Sequence, residues 1–203
     1  AFSPDGNQLI ATSGAREPTI WNLAGNESPR KLAGHSMTVW SALFSPDGAT
    51  IVTTGSDETI RLWDAVTLQS KDVLRGHENE VWCAAFSRDG QRLVSGDKDQ
   101  RVMLWAVGPR VQRDRLPGRA EPRPAFSPDG TRIIVAGADK AGLPSALWNT
   151  REGTRIKEVP GRPALGFSSD GKQVIHMSDD GNALEFWSPD ATQTTRVVLE
   201  EDR

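Results

Sequence analysis

Phe44-Ser45-Pro46-Asp47-Gly48 is the stretch on which the reading of this chain turns. The same phrase, varied at one residue at most, recurs at Phe2–Gly6, Phe86–Gly90, Phe126–Gly130 and Phe167–Gly171, at successive intervals of 42, 42, 40 and 41 residues. About twenty residues after each copy stands a tryptophan: Trp21, Trp63, Trp105, Trp148 and Trp187. A period near 40 residues is one supersecondary unit repeated, and a unit of that size cannot bury a core alone. The chain is an array, and its function is expected on the surface that the array builds.

Within the phrase, Pro46 presets φ, the Asp47 carboxylate bonds back to the backbone, and Gly48 takes the positive φ that closes a hairpin. A strand is predicted before it over Thr38–Phe44 and another after it over the β-branched run Ala49–Thr54. A second turn at Gly55–Glu58 leads into Thr59–Asp64, where Ile60, Leu62 and Asp64 alternate with Thr59, Arg61 and Trp63. A fourth strand is predicted over Lys71–Leu74. Helical periodicity is absent, so the chain reads as all-β, with four short antiparallel strands per unit in the manner of a propeller blade.

Composition narrows the function classes. Hydrophobic residues make up 36% of the 203, below the globular average, which suits thin sheets whose turns face water. The net charge of −3 gives no global basic field to attract nucleic acid. Arg110, Arg113, Arg115, Arg119 and Arg123 gather against Asp114 and Glu121, read as a solvated outer edge or, alternatively, a patch for an acidic peptide or phosphate. No apolar run approaches the ~18 residues that span a bilayer, so no membrane insertion is expected. Cys83 stands alone, which excludes an internal disulfide and a cysteine metal site. His35, His77 and His176 are not expected to converge on a metal, since the first two hold matching places in different units. No cofactor is implied. Asn26-Glu27-Ser28 fits a glycosylation acceptor, but no secretory signal is visible and a cytoplasmic location is favoured.

With Gly34-His35, the turn at 45–48 and Trp63-Asp64 in register, and Gly76-His77 to Trp105 at identical spacing, the sequence resembles the WD-repeat β-propeller family. Its little-diverged turns look like bacterial members. The resemblance implies a β-propeller of four-stranded antiparallel blades, about five of them present, over units of about 1–33, 34–75, 76–117, 118–160 and 161–199. Because unit one opens in mid-repeat, the array is expected to be a piece of a larger ring, commonly seven-bladed in the family, completed by the rest of its parent chain. A five-bladed ring with a defective seam is the alternative. The family's buried network maps onto His35, Thr53, Asp57 and Trp63, and onto His77, Ser95, Asp99 and Trp105. The indole N–H needs an acceptor when buried, and hydroxyl, imidazole and carboxylate extend the chain of bonds. A hydroxyl so committed cannot serve as a nucleophile, so the network is read as structural and the chain as no enzyme. Ala15 replaces the turn aspartate in unit one. Gly118-Arg119 and Gly161-Arg162 replace the Gly-His pair in units four and five, which are expected to lean on apolar packing instead.

In the family the rim carrying the strand starts is the usual docking surface for proteins. Mapped by position, the candidates here are Thr38, Trp40 and Ser56 in unit two and Glu80, Trp82 and Lys98 in unit three. Trp40 and Trp82 are expected to stand near one another, either as a docking hot spot or as filler between inner strands. Pro122 and Pro163 take their places in units four and five. The expected function is a non-catalytic scaffold binding a protein or peptide, as one module of a signalling or regulatory protein. The alternative is a TolB-like or enzymatic propeller with a ligand in its channel.

Overall fold

The computed structural model describes residues 1–107, 112–116, 124–135, 145–159, 164–178, 180, 182–189 and 195–198, the side chains of 112–116 excepted. Gly118-Arg119, Gly161-Arg162, Pro122, Pro163 and most of the arginine-rich stretch lie outside these residues.

Strands succeed one another without a helix among the described residues. The first sheet joins β1 (Gln8–Ala11), β2 (Thr19–Asn22) and β3 (Arg30–Lys31), with Phe2 bridging to Leu9. The second joins β4 (Val39–Phe44), β5 (Thr50–Gly55), β6 (Thr59–Asp64) and β7 (Ser70–Arg75). The third joins β8 (Val81–Phe86), β9 (Arg92–Asp97), β10 (Val102–Ala106) and β11 (Gln112–Leu116). The fourth holds β12 (Ala125–Phe126), β13 (Arg132–Val135), β14 (Ser145–Asn149) and β15 (Arg155–Val159). The fifth holds β16 (Ala164–Phe167), β17 (Val174–Met177), β18 (Ala183–Trp187) and β19 (Thr195–Val198). Every sheet is an antiparallel meander in chain order. In the second unit the strands expected from turn residues lie within a residue of those observed.

Each repeated turn is built by one small circuit. Ser45 Oγ donates to Asp47 Oδ1 at 2.5 Å and accepts the Thr50 amide at 2.9 Å, while Gly48 takes φ 73°. The same circuit closes at Ser3, Ser87, Ser127 and Ser168. Ser178 and Asp180 repeat it a sixth time, between β17 and β18, at 2.5 Å. These hydrogen bonds hold the turn aspartates Asp5, Asp47, Asp89, Asp129 and Asp170 below the usual carboxylate range.

The sheets fan out in sequence. β1 neighbours β4, β4 neighbours β8, β8 neighbours β12, and β12 neighbours β16, so the first strands run side by side. The core is the set of layers between successive sheets. Ile10, Ile20, Leu32, Ile51 and Trp63 fill the first layer, and Val52, Ile60, Leu62, Leu93 and Trp105 the second. Val94, Leu104, Ile133 and Trp148 fill the third, and Ile134, Leu147, Val174 and Trp187 the fourth. Alternate residues of a middle strand therefore enter opposite layers, and both faces are buried. Trp63, Trp105, Trp148 and Trp187 each wedge against the sheet before their own, a burial worth about 1.5–3 kcal/mol for a large apolar side chain. Trp21 has no preceding sheet among the described residues and is only half-buried.

Candidate protein-docking site

Two networks fix the frame on which the site stands. In the second sheet Trp63 Nε1–H donates to Thr53 Oγ1 at 2.9 Å, and Thr53 Oγ1 meets His35 Nε2 at 2.7 Å. His35 Nδ1 lies 2.9 and 3.0 Å from the two oxygens of Asp57. An ionised carboxylate only accepts, so Nδ1 carries the ring proton and Nε2 takes the hydroxyl proton of Thr53. Gly34 precedes His35 because a methyl there would come within 2.7 Å of Trp63 Cη2. In the third sheet Trp105 Nε1–H donates to Ser95 Oγ at 2.8 Å, and Ser95 Oγ meets His77 Nε2 at 2.7 Å.

The carboxylate of this second network is Asp97, not Asp99 as the repeat register predicts. His77 Nδ1 donates to Asp97 Oδ2 at 2.6 Å, while Asp99 accepts from exposed Asn79 Nδ2 at 2.8 Å. The reason lies in one exchange. Asp97 occupies the strand-end position that Gly55 holds in the second sheet, where a Cβ would stand 2.7 Å from His35 Nδ1 and 3.0 Å from Asp57. Glycine leaves room for the turn carboxylate to reach inward. Asp97 fills that room itself, and Asp99 is left to the surface. Comparison of the two units at that offset from their tryptophans was the available signal.

Burial pushes both His35 and His77 below the usual imidazole range, although their carboxylate partners pull the other way. Burial tends to raise Asp57, but hydrogen bonds from Thr59, the Ser36 amide and His35 outweigh it and leave the group below the usual range. In the fourth sheet Val135 stands where Thr53 and Ser95 stand, and in the fifth it is His176. His176 is buried, with Nδ1 3.3 Å from the Met177 carbonyl and Nε2 without a partner.

On the rim, the six residues predicted for docking fall close together. Residue 40 is the extra residue of a bulge, since Val39 pairs with Gly55 and Ser41 with Thr54. Trp82 repeats this between Val81 and Cys83. A bulge re-aims a side chain out of the ladder. Trp40 and Trp82 are accordingly 45% and 41% exposed while Val39 and Val81 beside them are buried. Both indoles turn their N–H edges to one carboxylate oxygen, Glu80 Oε2, at 3.1 Å from Trp40 and 3.4 Å from Trp82. Ser56 Oγ donates to the same oxygen at 3.3 Å, and Lys98 Nζ reaches Oε1 at 2.7 Å. The Lys98 ammonium keeps the Glu80 carboxyl below its usual range. Thr38 takes part through its backbone alone, its carbonyl accepting the Ser56 amide at 2.8 Å. Trp40, Glu80, Trp82 and Lys98 line a shallow pocket of about 480 Å³ that spans the second and third sheets. Among the described residues no three metal-ligating side chains come together, and no helix is long and apolar enough to cross a membrane.

The chain is thus an all-β repeat of propeller-like blades. Residues 26–64 and 68–106 match the model of the WD domain, G-beta repeat, so these two units are similar to WD repeats. No curated protein matches it. WD40 repeats are generally non-catalytic scaffolds for protein interaction, and they typically bind proteins.

Proposed function

We propose that this chain is a non-catalytic docking platform that captures a protein or peptide on the rim around Trp40 and Trp82, as one module of a larger signalling or regulatory protein. The observation that carries the reading is the convergence of two half-exposed indoles from adjacent sheets on one carboxylate. Partly desolvated tryptophans with a polar anchor are the residues that dominate binding energy at protein interfaces. Thr53 and Ser95 support the non-catalytic half of the proposal, because their hydroxyls are buried and each is engaged by an indole and an imidazole. The wider setting follows from the resemblance of the repeats to those of multidomain members of the family. The test is capture of partners from extract by the intact chain and by a Trp40→Ala, Trp82→Ala variant of unchanged thermal stability. Loss of the captured bands is expected; equal capture by both removes the rim from consideration.

A further inference from the structure

We propose that the pocket between Trp40 and Trp82 is a subsite for an arginine side chain of an extended peptide segment, and that Lys98 holds the place which the arriving guanidinium takes. The proposal rests on the docking reading above and adds the chemistry of the occupant. Glu80 Oε2 is held by three neutral donors, Trp40, Trp82 and Ser56, whereas Oε1, among the described residues, faces the Lys98 ammonium alone at 2.7 Å. That ammonium sits on a half-exposed side chain. A solvent-facing ion pair of this kind is worth little, on the order of 0–1 kcal/mol, so it yields easily to a better cation.

A guanidinium is that better cation. Its flat face stacks on an indole, and its fork of donors matches a carboxylate where lysine offers a point charge. Indoles that donate to an anion are polarised toward greater electron density on their faces, which favours a cation further. The opening of about 480 Å³ is ample for one long side chain. An acidic side chain would meet Glu80 and have to draw Lys98 away from it. An apolar one would strip water from the Glu80–Lys98 pair and supply no replacement bond.

The experiment uses the whole chain and four blocked pentapeptides, glycine throughout except for Arg, Lys, Glu or Leu at the centre. Binding is followed at the indole N–H resonances, with Trp40 and Trp82 assigned from the W40F and W82F variants. The arginine peptide should move both signals and bind more tightly than the lysine peptide. E80Q should weaken it about tenfold through loss of the charge-assisted pair. K98A, which leaves Glu80 intact, should tighten it severalfold, so the proposal is still tested if E80Q folds poorly. Equal binding of the leucine peptide, preference for the glutamate peptide, or arginine binding that K98A weakens would each overturn the arginine subsite. No shift with the arginine peptide, while the double tryptophan variant still loses its partners, would remove the subsite and leave the docking platform standing.

Discussion

Two aspartates two residues apart carry the sharpest consequence at the scale of single residues. Asp97 is fully buried on His77, and Asp99 faces solvent with Asn79. Asp97→Asn should therefore cost about 2 kcal/mol, the loss of a buried charge-assisted bond, while Asp99→Asn stays within about 0.5 kcal/mol. Urea unfolding of the two variants decides it, and equal losses would restore Asp99 to the network. Protonation offers a second test. His35 and His77 are held below the ordinary imidazole value of 6.5, so between the folded and unfolded values the unfolded chain binds more protons. Their contribution to stability is complete above 6.5 and is lost as pH falls below it. The thermal midpoint should drop on acidification from pH 7 toward 5.5, and a His35→Asn, His77→Asn variant should show a shallower slope. How much of this was legible differs from residue to residue. The pairing of Trp40 with Trp82 could be read because both stand four places before the phenylalanine of their turn. The role of Asp97 could not be read from motif position, because a second carboxylate within reach competes and the choice depends on whether the strand ends in glycine.

At the scale of strands and turns, the sequence speaks most clearly where backbone chemistry is restrictive. Pro46 and Gly48 bound β4 and β5 because few other residues satisfy that turn. The bulges at Trp40 and Trp82 leave no such mark, since a bulge takes up one residue of any kind. The turn of Ser178 and Asp180 was visible in principle as a sixth copy of the serine–aspartate spacing, displaced from the repeat register. Glu58 and Gln100 occupy matching places in the turns after β5 and β9, at φ 63° and 64°. A left-handed backbone is unfavourable for a residue with a Cβ, and the cost exceeds the chain entropy that glycine adds. Gln100→Gly should thus raise stability by about 0.5 kcal/mol, measured as a shift of the denaturation midpoint at unchanged slope. A fall would mean that the Gln100 side chain makes an unrecognised contribution.

For the molecule as a whole, the order of the sheets was legible in the repeat, but the contacts that tie one sheet to the next were not. Arg132 donates to the Gly171 carbonyl at 2.7 Å and lies over the Phe167 ring, and Arg92 reaches the Thr150 carbonyl. These partners stand 39 and 58 residues apart without any shared motif. Stability in such arrays is a sum of unit and junction contributions. Arg132→Ala should speed amide exchange in β16 and β17 and leave β4 to β6 unaltered. A uniform rise across all sheets would show that the array melts as one body. At three of the four junctions the proline of one turn also seats itself under the glycine of the next: a methyl on Gly48 would lie 3.5 Å from Pro4 Cδ, one on Gly90 3.6 Å from Pro46, and one on Gly171 3.0 Å from Pro128, whereas Gly130 faces Ser87, since Arg88 replaces the proline there. That contact is directional, and its two halves belong to different modules. Where a turn keeps its proline, a gene that gains or drops the module after it rejoins a proline to a glycine at the splice, and that joint does not have to be reinvented.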